Sequence, residues 1–212
     1  MNKNNSYNFQ QYLQDEESMG FVRVLHAVPN APNVDVYAND TLIFDNVAYA
    51  DVTQYMPIPE GRYKITIYVT DTKNSPILSN MLTVNAGTYL TVGAVGMLDS
   101  IGLVGIVDAD MMSMPSRAMV RFAHLSPNAP AVDITLSNGT VIFDDISFKE
   151  ITSYLDMLPM TYSLQVRVSG TDQIVLTIPD IETEAGKFYT IYAIGLVEAE
   201  PLLEALILSD GK

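Results

Sequence analysis

Short runs of alternating apolar and polar residues dominate the chain from Gly20 onward. Runs such as FVRVLHA, VDVYA and YKITIYV are rich in β-branched and aromatic residues, and Pro, Gly, Asn and Asp separate one run from the next. A period of two places successive side chains on opposite faces of a strand, so that one face can be buried. No long helical periodicity competes with this pattern. It predicts an all-β chain folded as an antiparallel sandwich or barrel.

The chain also repeats itself. The stretch FVRVLHAVPNAPNVDVYAND at residues 21–40 returns as MVRFAHLSPNAPAVDITLSNG at residues 119–139. This spacing is too long for a solenoid repeat and has the size of one complete small domain. We therefore expect two tandem domains, at 20–108 and 119–212, with a linker at 109–118 and a flexible tail at 1–19.

Composition excludes several classes of function. The 212 residues carry a net charge of −14, and nucleic-acid binding depends on an excess of Lys and Arg, so we expect no nucleic-acid partner. Cysteine is absent, which removes thiolate catalysis, Cys-ligated zinc and disulfides. No apolar run is long enough for a signal peptide or a transmembrane helix, so we expect neither.

The N-terminal segment carries four large apolar side chains in an otherwise polar stretch, namely Tyr7, Phe9, Tyr12 and Leu13. One interpretation is plain terminal disorder, because such a segment cannot build a core. The other is a docking arm that becomes ordered on a neighbouring subunit. The sequence leaves both interpretations open.

A motif opens each repeat and reads R-x-x-H-x-x-P-N-A-P-x-V-D, from Arg23 to Asp35 and again from Arg121 to Asp133. A T-x-Y step follows in each copy, at Thr53 and Thr152. These landmarks resemble the DUF4397 family over both copies. The resemblance implies bacterial surface or secreted modules with no defined activity, and it favours two tandem immunoglobulin-like antiparallel β-sandwich domains.

The two histidines of the chain lie in this motif and invite a catalytic or metal-binding interpretation. A hydrolytic triad needs a nucleophile beside the histidine, and zinc needs three or four ligands. Neither requirement is met in both copies of the motif. We therefore expect no catalytic residue, metal or cofactor. We predict instead a structural motif, in which the histidines bond into the loop, the prolines stiffen it and the aspartates cap backbone N–H groups; its residues are His26, Pro29, Pro32, Asp35, His124, Pro127, Pro130 and Asp133.

These features predict a non-enzymatic structural or adhesive protein of the cell or spore surface, although a cytoplasmic location stays open. Its expected partner is another copy of itself or another surface protein, bound through the N-terminal tail. The alternative is a carbohydrate-binding or other ligand-binding module that uses Tyr37, Tyr49 and Tyr55. Tyr37 has Thr135 as its counterpart, so such a platform would differ between the copies.

Overall fold

A computed structural model describes residues 18–109 and 116–211, and its named elements are sixteen β-strands. The all-β prediction is confirmed. The first domain contains β1 (Met19–His26), β2 (Val34–Ala38), β3 (Thr41–Val47), β4 (Met56–Pro59), β5 (Gly61–Val69), β6 (Leu78–Val84), β7 (Tyr89–Val95) and β8 (Gly102–Asp108). The second contains β9 (Ala118–His124), β10 (Val132–Leu136), β11 (Val141–Ile146), β12 (Leu155–Met157), β13 (Thr161–Val168), β14 (Ile174–Glu182), β15 (Phe188–Leu196) and β16 (Ala199–Asp210).

Each domain is a sandwich of two four-stranded sheets, and the strand order is the same in both domains. The inner sheets run β4-β1-β7-β8 and β12-β9-β15-β16, and the outer sheets run β3-β2-β5-β6 and β11-β10-β13-β14. The strand pairs are antiparallel except β1 with β7 and β9 with β15, which are parallel. A parallel pair needs a long crossover, and the intervening strands, which include the whole outer sheet, supply it.

A separate apolar core fills each sandwich, as the alternation predicts. In the first domain, Val24 and Val92 of the inner sheet and Val36 and Ile67 of the outer sheet are buried. In the second domain, Phe122 belongs to the corresponding cluster. Burial of these apolar side chains is the main term that holds the two sheets of each sandwich together.

The two inner sheets also pack against each other, face to face. Strands β7 and β15 are buried along their whole length, although alternation alone would leave one face of each in solvent. An apolar cluster formed by both domains explains this, and we call it the interdomain face; its buried members are Leu25, Ala27, Val95, Ile106, Ala123, Leu125, Tyr192 and Ile194. The protein is therefore a stack of four β-layers. In the part of the chain that the structure describes, no helix is long and apolar enough to cross a membrane.

Candidate functional site

The first copy of the repeated motif forms the loop between β1 and β2, and His26 bonds into it. The His26 Nε2 atom lies 3.2 Å from the Pro32 carbonyl oxygen, and the Val28 backbone N–H donates to Nδ1 at 3.3 Å. Since Nδ1 accepts, Nε2 must carry the proton and donate it to Pro32. Burial lowers the pKa of His26, in keeping with this neutral ring.

His124 has the same position in the second copy. Its Nε2 atom lies 3.0 Å from the Pro130 carbonyl oxygen, and burial lowers its pKa as well. Ser126 replaces Val28 here, and its hydroxyl donates to the Gly195 carbonyl instead. The Nδ1 atom of His124 has no hydrogen-bond partner among the described residues.

The motif aspartates hold two turns together rather than facing the histidines. Asp35 accepts from the Asn46 N–H at 2.9 Å, the Thr70 hydroxyl at 3.0 Å and the Asp71 N–H at 3.3 Å. Burial opposes ionisation of Asp35, but these donors outweigh it and lower its pKa.

Asp133 repeats the arrangement, because it accepts from the N–H groups of Asp145 and Gly170 at 2.8 and 2.9 Å. These two backbone donors lower its pKa. In both copies the described hydrogen bonds of the histidine and of the aspartate go to different partners, so the motif does not form a His–Asp dyad.

The motif prolines contribute through the backbone of the loop, since their rings fix its φ angles. Pro29 is buried and Pro127 half-buried at the start of the turn, where Asn30 adopts a positive φ of 61°. Pro32 and Pro130 are exposed, and each contributes a carbonyl to the histidine of its own loop. Their rings fix φ and so hold that carbonyl in place.

A polar network that crosses between the domains is the feature that sequence analysis missed. The Arg23 Nη2 atom lies 2.7 Å from Asp210 Oδ1, and the Arg121 Nη2 atom lies 2.6 Å from Asp108 Oδ1. Arg23 also donates to the Ser209 carbonyl, and Arg121 to the Val107 carbonyl. Each domain therefore extends an arginine to the end of the last strand of the other.

Hydroxyl groups complete this reciprocal arrangement. Asp108 accepts hydrogen bonds from Tyr55 at 2.7 Å and from Thr91 at 2.6 Å, both in its own domain. Asp210 accepts in the same way from Tyr154 and Thr190. The Arg23 guanidinium lies 4.5 Å above the Tyr55 ring, a cation–π distance, and the Arg121 guanidinium has the same distance to the Tyr154 ring. We call these eight side chains the interdomain network.

The network is buried and its charges balance. The arginine side chains are 6% exposed and the aspartate side chains 0%. Burial and the neighbouring Asp210 raise the pKa of Asp108, and burial and Asp108 raise the pKa of Tyr55. Such a network is stable only when every partner is present, because one missing partner leaves a buried charge uncompensated.

The tyrosines of the ligand-binding alternative have different surroundings. Tyr37 is 5% exposed and lies beneath the Lys73 ammonium at 4.4 Å. Tyr49 packs edge-on against His26, and Tyr55 belongs to the interdomain network. Tyr49 and Tyr55 are half-buried, so each of the three rings is at least partly covered by the protein.

An open cleft lies on the outer face of the first domain beside Tyr37. It has a volume of about 720 Å³ and is lined by Asp35, Tyr37, Leu42, Asp45, Asn46, Thr70, Asp71, Thr72 and Lys73. Among the residues that the structure describes, no group of three or more His, Cys, Asp or Glu side chains is arranged to hold a metal ion. The candidate docking residues Tyr7, Phe9, Tyr12 and Leu13 lie outside the described residues.

A comparison with protein families gives two matches on this chain. The model described as "Domain of unknown function (DUF4397)" matches residues 20–135 and residues 118–212. No curated protein matches the chain. Because the two matches together cover both sandwiches and their shared motif, the chain belongs to the DUF4397 family and contains two copies of its domain.

Proposed function

We propose that this chain is a non-enzymatic structural or adhesive subunit of a cell or spore surface, built as one two-domain block. One observation carries the proposal: the polar side chains that recur in both copies are used in bonds inside the protein. The recurring residues are Arg23, His26, Asp35, Thr53, Tyr55 and Thr91, with Arg121, His124, Asp133, Thr152, Tyr154 and Thr190.

Internal use of these groups favours a role in shape over a role in turnover. A catalytic group needs access to a substrate, whereas these groups cap turns, hold loops and connect the domains. The interdomain network supports a fixed angle between the two sandwiches, because rotation of one against the other would separate two buried ion pairs and leave their charges uncompensated. A building block for an ordered surface layer benefits from such a fixed shape.

Assembly in this proposal uses the N-terminal tail and an open sheet edge. Strands β3, β6, β11 and β14 each have a neighbour on one side only, so each offers unpaired backbone groups for a further strand. The described chain begins beside β4, where the Glu60 N–H donates to the Ser18 carbonyl at 2.7 Å. A tail that leaves from this inner sheet and binds an outer edge of the next copy makes a head-to-tail contact, which propagates as an open chain.

Electron microscopy and light scattering of the purified full chain test this function. The full chain is expected to form polymers. A chain lacking residues 1–17, the part of the predicted 1–19 tail that precedes the described residues, is expected to remain a folded monomer. A matched control keeps the tail length and replaces its four apolar residues by serine, in the variant Tyr7→Ser/Phe9→Ser/Tyr12→Ser/Leu13→Ser. Equal polymerisation of the truncated chain, or a monomeric full chain at high concentration, would contradict the proposal.

The cleft beside Tyr37 supports the second candidate, a carbohydrate-binding or other ligand-binding module. Its lining is polar and acidic, with Lys73 as its cation. Calorimetric titration with neutral oligosaccharides tests this candidate. Binding that disappears in Lys73→Ala and Asp45→Asn would support it, and the absence of heat across a panel of such sugars would exclude that ligand class.

A further inference from the structure

The interdomain network is the same from either side and cannot by itself select a partner. Arg23 corresponds to Arg121, Asp108 to Asp210, and Thr91 to Thr190, and each arginine bonds the aspartate of the other domain. If two first domains faced each other, Arg23 of one would meet Asp108 of the other and make the same bonds. The polar groups therefore permit pairing of like domains as well as unlike ones.

The apolar residues around the network differ between the copies in size. Position for position, Gly93 corresponds to Tyr192, Leu25 to Ala123, and Ala27 to Leu125. Leu25 is paired with Gly93 across β1 and β7, and Ala123 with Tyr192 across β15 and β9. Each domain thus places a large residue where the other has a small one.

Tyr192 uses the space that the small residues leave. It is fully buried and belongs to the interdomain face together with Leu25 and Ala27 of the first domain. It also interacts electrostatically with Arg23, which precedes Leu25 by two residues and lies on the same face of the inner sheet.

The surroundings of Gly93 show how closely the domains approach there. A Cβ atom at Gly93 would lie 3.8 Å from Leu125 Cδ1 of the second domain and 3.5 Å from Val95, which is ordinary contact. A methyl group therefore fits, but a tyrosine ring at this position would meet the Leu125 side chain of the second domain.

Pairing of like domains is unfavourable for opposite reasons in the two cases. Two second domains would place Tyr192 of each against Leu125 of the other, the residue that faces Gly93 in the unlike pair, which forces side chains out of their preferred rotamers. Two first domains would bring together two copies of Gly93 and of Ala27, which leaves a cavity. Steric conflict against a wrong partner is a general source of specificity.

We propose that the interdomain face is a recognition surface that accepts the unlike domain of this chain, whether its own or that of a second copy, and rejects its own kind. The network can form the same bonds in a like pair and in an unlike pair of domains. The differences in side-chain size at the three positions therefore determine that only the unlike pair packs well. Two chains can then associate through this face only by a domain swap, in which the first domain of each chain packs against the second domain of the other. The proposal does not depend on the tail or on the surface role.

Face-swapped variants of the full chain test it. One half-swap gives both domains the second-domain face, by Gly93→Tyr, Leu25→Ala and Ala27→Leu. The other half-swap gives both the first-domain face, by Tyr192→Gly, Ala123→Leu and Leu125→Ala. The full swap combines all six changes and restores an unlike pair. Gly93→Ala is the control, because the structure has room for its methyl group.

Both half-swaps are expected to lower the melting temperature, and the full swap is expected to recover at least half of that loss. Mixing the two half-swaps in equal amounts is expected to give a species of twice the chain mass by light scattering, which neither forms alone. Half-swaps as stable as the parent chain would overturn the proposal. So would a full swap no better than the sum of its halves, or a mixture that stays at the mass of a single chain.

Discussion

Arg23 of β1 and Asp210 at the end of β16 are bonded at 2.7 Å, although they belong to different domains and lie near opposite ends of the described chain. Arg121 and Asp108 repeat this bond in the opposite direction at 2.6 Å. The two ion pairs lie side by side in one cluster, because Arg23 is also 3.9 Å from Asp108 and Arg121 is 3.7 Å from Asp210. This reciprocity makes the two sandwiches one unit rather than two domains on a linker.

Removal of one arginine should destabilise the whole protein. Arg23→Met leaves Asp210 buried without its closest cation, and we expect a loss of about 3–5 kcal/mol in the free energy of unfolding, measured in urea. The matched control is Arg117→Met. Arg117 forms an ion pair with Asp156 in which both side chains are substantially exposed, so its loss should cost about 1 kcal/mol or less. Similar losses in both variants would contradict the account.

Coupling between Arg23 and Asp210 should appear in a double-mutant cycle. Asp210→Asn keeps an acceptor for the hydroxyls of Tyr154 and Thr190 but removes the charge. We expect the double variant Arg23→Met/Asp210→Asn to be more stable than the sum of the single changes by about 1–3 kcal/mol. Strict additivity would mean that the two residues act independently.

Two tyrosines of this region should respond differently to loss of the hydroxyl. Tyr55→Phe removes a hydrogen bond to Asp108 and should cost about 1–2 kcal/mol. The buried Tyr192 hydroxyl makes no hydrogen bond of standard geometry among the described residues, so Tyr192→Phe should be neutral or slightly stabilising. Thermal unfolding of both variants measures the difference, and an equal loss in both would be inconsistent with the network as described.

Stability should fall as the pH is lowered from about 6.5, because of the two histidines. Burial lowers the folded-state pKa of His26 and His124, whereas the unfolded-state value is about 6.5. Between these values the unfolded chain binds protons that the folded chain does not, so the free energy of unfolding decreases as the pH is lowered. The double variant His26→Gln/His124→Gln should flatten the stability curve between about pH 7 and 5.5. An unchanged slope would show that other groups titrate there.

The motif aspartates should matter more than the exposed prolines beside them. Asp35→Ala leaves three donors without their acceptor, and we expect a loss of about 1–3 kcal/mol. Pro32→Ala keeps the carbonyl that His26 uses, and it changes mainly the entropy of the unfolded chain, by about 1 kcal/mol or less. Urea midpoints of the two variants compare them directly, and a larger loss for Pro32→Ala would contradict this view of the loop.

The strands and the two-copy organisation were predictable because their signals are local. Alternation over a few residues reveals each strand, and the repeated motif reveals the second copy. The packing of the inner sheets was not predictable in this way. The outward positions of β7 are Thr91, Gly93 and Val95, small side chains that alternation alone does not distinguish from a solvated face.

The interdomain network escaped sequence analysis for a different reason. Its arginines stand out within the apolar runs VRV and VRF, and an arginine in such a run needs a buried partner. That partner lies in the other domain, so its identity depends on how the domains pack, which no local pattern contains. Asp108 and Asp210, each at the end of the last strand of its domain, were the available clue.

Calorimetric unfolding of the intact chain tests most directly whether the two domains form one block. We expect a single transition whose van't Hoff enthalpy equals the calorimetric enthalpy of the whole protein. Arg23→Met should lower the temperature of that one transition, because Arg23 connects both sandwiches. Two separate transitions in the parent chain, or a shift of only one of them in the variant, would contradict the account.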